Sequence, residues 1–194
     1  ERDDIQINYS IKKNYDNLSH DKIVDYISKT LPLFKKIIKK SNPNLVIVLG
    51  DRFEIFAFTL AAFFLKIPIA HIHGGEVTSG AFDDNIRHSI TKFSNFHFAT
   101  HNIYKKRLIQ LGESPKAVFL VGSPGVENFR KIEKINKKKL FKEFFLDKNK
   151  KTILLTFHPE TNSIIEYNKQ IDIVLRSIKN LKKENFIFTF NNSD

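Results

Sequence analysis

The chain is 194 residues long, 41% apolar and 27% charged, with a formal charge of +11 and no cysteine. Those proportions fit a folded globular protein of one domain, or one and a half small ones, and argue against disorder. Disulfides, thiolate metal sites and cysteine nucleophiles are excluded, and no apolar run nears the roughly 20 residues of a membrane span.

The chain opens on Glu1 and has no methionine, so a segment of a longer protein is expected; lacking a signal sequence at its start, it is expected in the cytoplasm. Residues 1–19 read as a loop. Over residues 20–40, Ile23, Ile27, Leu31, Phe34 and Ile38 recur at spacings of three and four, which predicts an amphipathic helix. A strand is expected at 45–49, then a helix over 53–65 that is apolar almost all round, as in a helix enclosed within a domain. Strands follow at 67–72, 96–100 and 118–121, with helices at 83–93 and 102–111. A helix candidate at 136–145 lies in a lysine-rich stretch, and a strand at 153–157, a helix at 164–181 and a strand at 186–190 complete the order.

The strands are nearly all apolar instead of alternating, which predicts burial on both faces of a parallel sheet. Alternation of strand and helix predicts an α/β fold with Rossmann-like parallel sheets. Residues 1–131 are expected to form most of an N-terminal Rossmann-like domain, 132–151 a linker region, and 152–194 the start of a second such domain. The lysines fall in clusters such as Lys35, Lys36, Lys39 and Lys40, or Lys148, Lys150 and Lys151. That arrangement reads as solvated helix faces and linkers. A basic nucleic-acid-binding domain, the reading the charge alone suggests, leaves the carboxylate-rich stretch described next unexplained.

In open α/β sheets ligands bind at the carboxyl ends of the strands. Four polar clusters fall at such ends: Gly50-Asp51-Arg52, the stretch from His71 to His88, Gly122-Ser123-Pro124-Gly125, and His158-Pro159-Glu160-Thr161. The stretch from His71 to His88 holds three histidines, three carboxylates, an arginine and three glycines. Titratable groups at that density point to a bound ligand or a reaction. Plainer readings exist for each. Asp51 suits a helix cap, Asp83 and Asp84 suit the start of a helix, and an i,i+4 ion pair explains Asp83 with Arg87. His88 and His97 read as packed or solvated side chains, and His101 as a helix start. His71-x-His73 with Glu76 raises a metal site, but no third histidine stands at a familiar spacing, and the Gly74-Gly75 pair points instead to backbone approaching a ligand. No metal or cofactor is expected, and no Gly-x-Ser-x-Gly elbow of a serine hydrolase is present.

In their order these clusters resemble the UDP-N-acetylglucosamine 2-epimerases. The residues that carry the resemblance are Gly50-Asp51-Arg52-Phe53-Glu54, His71-Ile72-His73-Gly74-Gly75-Glu76, the run from Asp83 to Lys92, Gly122-Ser123-Pro124-Gly125 and His158-Pro159-Glu160-Thr161. The closest branch is the hydrolysing one, which serves sialic or legionaminic acid synthesis. The resemblance implies two facing Rossmann-like domains of the glycosyltransferase-B type, present here as a partial chain lacking the first βα unit and most of the second domain. It implies a UDP-amino sugar as substrate, no nucleic acid or membrane partner, and a homodimer in the full-length protein. It further implies elimination of UDP to a glycal-type intermediate, followed by hydration to the 2-epimer.

By the same resemblance Asp51 and Asp83 match catalytic acids. Arg52 and Arg87 match positions that hold phosphates or organise carboxylates, and His158 matches a histidine facing the diphosphate. Gly74 and Ser123 are further candidates for substrate contact. Many relatives carry a catalytic glutamate where this chain has His73. Either Glu76 supplies that carboxylate from the turn, or His73 itself acts as the base. A retaining glycosyltransferase of the same architecture is the alternative function.

Overall fold

The computed structural model describes residues 5–11, 20–78, 82–160 and 163–189. Thr161 and Phe190, like residues 12–19 and 79–81, lie outside the described residues. The chain divides into two compact units, the first running to Glu127 and the second built from Asn128 onward.

In the first unit, helix α1 (His20–Ser41) leads to strand β1 (Val46–Leu49), helix α2 (Phe53–Phe64) and strand β2 (Ile69–Ile72). Helix α3 (Asp83–Phe93), strand β3 (Phe96–Ala99), helix α4 (Asn102–Gln110) and strand β4 (Val118–Leu120) follow. Helix α5 (Pro124–Lys131) comes next, its residues divided between the two units after Glu127. The four strands form one parallel sheet in the order β1-β2-β3-β4, with Leu49 level with Ile72, and Ile72 with Phe98.

That order has a consequence for layering. Right-handed crossovers between strands that neighbour each other in sequence order put every connecting helix on the same face. Val46, Val48 and Ile69 on that face pack with Ala61 and Ala62 of α2 and Ile90 of α3, and Val118 packs with Leu108 of α4. The opposite face carries Ile47, Leu49, Phe96 and Phe119, and there Ile47 is 64% and Leu49 55% exposed. Burial on both faces therefore holds for β2, where Ile69, Ala70 and His71 are all buried, but not for the edge strand β1. Among the described residues one helical layer covers β1, so its alternate apolar residues are left open.

The strands expected from sequence all form: those of the first sheet are one or two residues shorter than expected, and β5 and β6 begin one residue earlier and end two earlier. Two elements were not anticipated. A single 3-10 turn spans Pro115–Ala117. Helix α5 begins at Pro124, within the Gly-Ser-Pro-Gly cluster, where no helix was expected. Proline is favoured at the first helical position, where its missing N–H is not needed.

The second unit holds helix α6 (Lys137–Glu143), strand β5 (Thr152–Leu155), helix α7 (Tyr167–Lys179) and strand β6 (Asn185–Phe188). β5 and β6 pair in parallel, with Thr152 level with Asn185. α7 buries no side chain fully, and Leu154 on β5 remains exposed. No helix among the described residues is long and apolar enough to cross a membrane.

Ile69 sits in β2 beneath α2 and α3 with no exposed surface. Ile69→Ala should lower the unfolding free energy by about 2–5 kcal/mol, the usual cost of a cavity at such a site, measured by urea denaturation.

Candidate active site

Three of the four polar clusters emerge from the carboxyl ends of strands in the first sheet. Beyond β1 the chain turns through Gly50 at φ +85°, a left-handed conformation open to glycine without a Cβ penalty. The turn is pinned on both sides: the Gly50 N–H donates to the Ile72 carbonyl at 3.1 Å, and the Gly50 carbonyl lies 2.8 Å from His71 Nε2. Asp51 follows directly. It does not cap α2, whose N-cap is Arg52; its Oδ2 accepts a hydrogen bond from Arg87 Nη2.

Arg87 is only 4% exposed. Besides Asp51 it donates from Nη1 to Asp84 Oδ1 at 2.8 Å and from Nη2 to Thr78 Oγ1 at 2.9 Å. Asp84 Oδ1 also accepts from the Thr78 N–H at 3.0 Å. Asp84, three residues before Arg87, is thus a carboxylate partner of the arginine beside the Asp83 that sequence spacing suggested. Asp83 opens α3, half-buried. Arg52 lies alongside the turn and forks onto both oxygens of Glu54, at 3.2 and 3.3 Å.

At the end of β2 the two histidines part company. His71 is fully buried, and its Nδ1 lies 3.2 Å from Thr91 Oγ1. With its Nε2 on the Gly50 carbonyl, neither ring nitrogen is open to a metal. Burial holds its pKa down to about 4, with the charges of His97, Arg87 and His73 adding to the effect and the Gly50 bond opposing it. His73 leaves the strand at φ +68°, so the pair does not alternate on one extended face as the sequence suggested. A residue with a Cβ adopts that conformation only where its surroundings hold it. Here the His73 N–H donates to the Phe98 carbonyl, and Nδ1 donates to Glu76 Oε1 at 2.7 Å. The same Glu76 oxygen accepts from Thr100 Oγ1 at 2.6 Å.

The two glycines between them are accounted for by α4 and the core. A Cβ on Gly74 would stand 3.1 Å from His71 Nδ1 and 3.3 Å from both Leu108 and Thr91. One on Gly75 would meet the Tyr104 carbonyl at 2.6 Å and Leu108 Cγ at 2.9 Å. Arg107 of α4 donates from Nη1 to the Gly75 carbonyl while lying over the Tyr104 ring. The turn that carries Glu76 is therefore seated on a helix.

Ser123 stands half-buried after β4, where its carbonyl accepts from the Glu127 N–H to start α5. His158 is exposed in the second unit after β5, in a loop tied to α7 by Gln170, whose side chain bonds both the N–H and the carbonyl of Glu160. His101 caps α4, its Nδ1 accepting from the Ile103 N–H at 3.2 Å. His97 is buried in β3, level with His71 on β2, and meets Glu113 at 3.0 Å. Thr78, Thr91, Thr100 and Arg107 were not singled out from sequence, and Asp84 was read as a carboxylate suited to a helix start. Thr100 was within reach of the strand-end rule, since it ends an apolar run; the others were not, because their partners lie on other elements.

Two consequences are measurable. Gly75→Ala combines a left-handed φ with a backbone clash, so it should cost about 2 kcal/mol or more in urea denaturation. For His71 the folded pKa of about 4 lies below the ordinary 6.5. The unfolded chain then takes up the proton first, and acid favours unfolding. The stabilisation is complete above about pH 6.5 and is lost as pH falls toward about 4. Urea midpoints across that window should drop more steeply for the unaltered protein than for His71→Gln.

Comparison with known proteins gives the family and the fold. The profile of the UDP-N-acetylglucosamine 2-epimerase family matches residues 2–194. The chain is 39% identical over 168 residues to a GDP/UDP-N,N'-diacetylbacillosamine 2-epimerase (hydrolyzing) of Campylobacter jejuni subsp. jejuni, covering 87% of this chain and 44% of that protein. It is 40% identical to the polysialic acid biosynthesis protein P7 of Escherichia coli, over 100% of this chain and 50% of that one. The crystal structure of UDP-GlcNAc 2-epimerase from Neisseria meningitidis bound to UDP-GlcNAc superimposes with a TM-score of 0.78 at 26% identity, covering 97% of this chain and 53% of that one. The chain thus spans about half the length of the curated relatives it matches. With a family match over nearly its whole length and the same α/β fold, the chain belongs to the UDP-N-acetylglucosamine 2-epimerase family.

Proposed function

We propose that the full-length protein is a hydrolysing 2-epimerase acting on a UDP-linked 2-acetamido sugar, UDP-N-acetylglucosamine or a diacetamido relative of it. The observation that carries this reading is the carboxylate cluster gathered by buried Arg87 at the end of β1, next to the His73–Glu76 pair at the end of β2. A base removes the proton at C2 of the sugar. The C1–O bond breaks, its electron pair leaves with UDP, and a C1=C2 double bond forms. Water then delivers hydroxide to C1 and a proton returns to C2 on the opposite face, giving the free 2-epimer.

Asp51 and Asp83 serve as the acid–base carboxylates on the sugar. Arg87 organises the carboxylates rather than the phosphates, since Asp51, Asp84 and Thr78 already engage its terminal nitrogens. Arg52 and Ser123 are assigned to the departing diphosphate, and the Gly74 backbone to the wall beneath the sugar. His73 stands in for the family glutamate with Glu76 as its partner. A carboxylate that accepts from Nδ1–H leaves Nε2 as the basic nitrogen of the ring, which suits a general base.

The test is incubation of the full-length protein with both UDP sugars. UDP and the free 2-epimer should accumulate, as read by NMR; transfer to an acceptor without free sugar, or no turnover of either, overturns the proposal. Asp51→Asn, Asp83→Asn and His73→Asn should each lower kcat by roughly 10²–10⁴-fold, the usual worth of a positioned acid or base. If His73→Asn keeps most of the activity while Glu76→Gln abolishes it, Glu76 is the acting group.

A further inference from the structure

His71 is buried beneath the candidate site, not in it, yet it touches both elements that make the site. A backbone carbonyl can only accept, so the 2.8 Å contact with Gly50 places the ring proton on Nε2. The neutral ring then has an acceptor at Nδ1, and the Thr91 hydroxyl at 3.2 Å donates to it. Thr91 is fully buried on α3, one turn beyond Arg87. The imidazole is thus a strut between the β1 turn and α3, the same two elements that the Asp51–Arg87 ion pair joins.

The strut acts on one particular peptide unit. The Gly50 carbonyl and the Asp51 N–H belong to a single planar group, so the direction of that carbonyl fixes how the chain enters Asp51. Gly50 at φ +85° has no side chain of its own to limit the rotation. Its N–H is held by Ile72, and His71 holds its carbonyl. Without the imidazole the Gly50–Asp51 peptide loses this hydrogen bond, and only the preceding peptide, through the Gly50 N–H, stays tied to β2.

We propose that His71 is a positioning residue, which sets the Gly50–Asp51 peptide and so aims the Asp51 carboxylate at Arg87 and the reacting sugar. The proposal rests on the epimerase reading for its kinetic consequence, not for its structural one. His71 touches no substrate; its effect is on the geometry of the group that does.

The test uses full-length protein in three variants. His71→Leu removes both hydrogen bonds, His71→Gln keeps a donor that can reach the Gly50 carbonyl, and Thr91→Val removes the hydroxyl that fixes the tautomer while preserving shape. His71→Leu should lower kcat by about 10- to 100-fold with KM changed little, as expected for a misplaced catalytic group. His71→Gln should recover most of that loss, and Thr91→Val should fall between. A second readout does not depend on turnover: nitrogen-15 NMR should show the Nε2–H tautomer of His71, and the Asp51 amide and Arg87 guanidinium resonances should shift in His71→Leu and return in His71→Gln. Should His71→Leu not fold, Thr91→Val and His71→Gln carry the same comparison. Wild-type kcat in folded His71→Leu, or unmoved Asp51 and Arg87 resonances, overturns the proposal. An unaltered protein with no epimerase activity overturns the function instead, and the resonances still decide the strut.

Discussion

Arg87 lies almost entirely away from water, and a guanidinium so placed is tolerated only where carboxylates and hydroxyls answer it. Asp51, Asp84 and Thr78 do so, and each comes from a different stretch of chain: the end of β1, the start of α3 and the turn after β2. The ion cluster therefore clamps together the three segments that carry the candidate chemistry. Stripping one partner from such a cluster leaves a buried charge uncompensated, which costs more than the pair itself contributes. The arrangement of the sheet end is set by that constraint.

Around the cluster the chain is fitted by close backbone approach. The Gly74-Gly75 pair lets the β2 turn sit directly on α4, with Leu108 and the Tyr104 carbonyl occupying the space of the missing side chains. That seating brings Glu76 under both Thr100 and His73. His73 is held at a left-handed φ by the same contacts. The strain of that conformation and the two bonds to one carboxylate oxygen belong to a single construction.

The single helical layer of the first unit follows from strand order. Because β1 to β4 are adjacent in the sheet as well as in sequence, every right-handed crossover falls on one side. The covered face supplies His71 and Ile69, which with Ile90 of α3 form the buried bed on which the site is built. The other face ends in Ile47, Leu49, Phe96 and Phe119, which are exposed.

Much of the fold was legible in local pattern. The apolar runs marked every strand because a parallel strand needs β-branched and aromatic residues whatever lies beside it, and the three-and-four spacing of Ile23 to Ile38 marked α1. α5 was missed because Pro124 and Gly125 look like loop residues until a helix is known to start at them. The clusters at strand ends were legible too, since Asp51, His73, Glu76, Asp83 and Arg87 all fall just beyond or near the close of an apolar run. Which carboxylate faces Arg87 was not. Spacing offered Asp83, while the turn of α3 and the position of Thr78 brought in Asp84 and, from 36 residues away, Asp51. Nor was the parting of His71 from His73, because alternation along a strand says nothing of where the strand ends. The sequence alone determined which segments extend, which coil and where polar groups collect, since those depend on near neighbours. The pairing of those groups depends on contacts between distant segments, and only the packed sheet and its helices decided it.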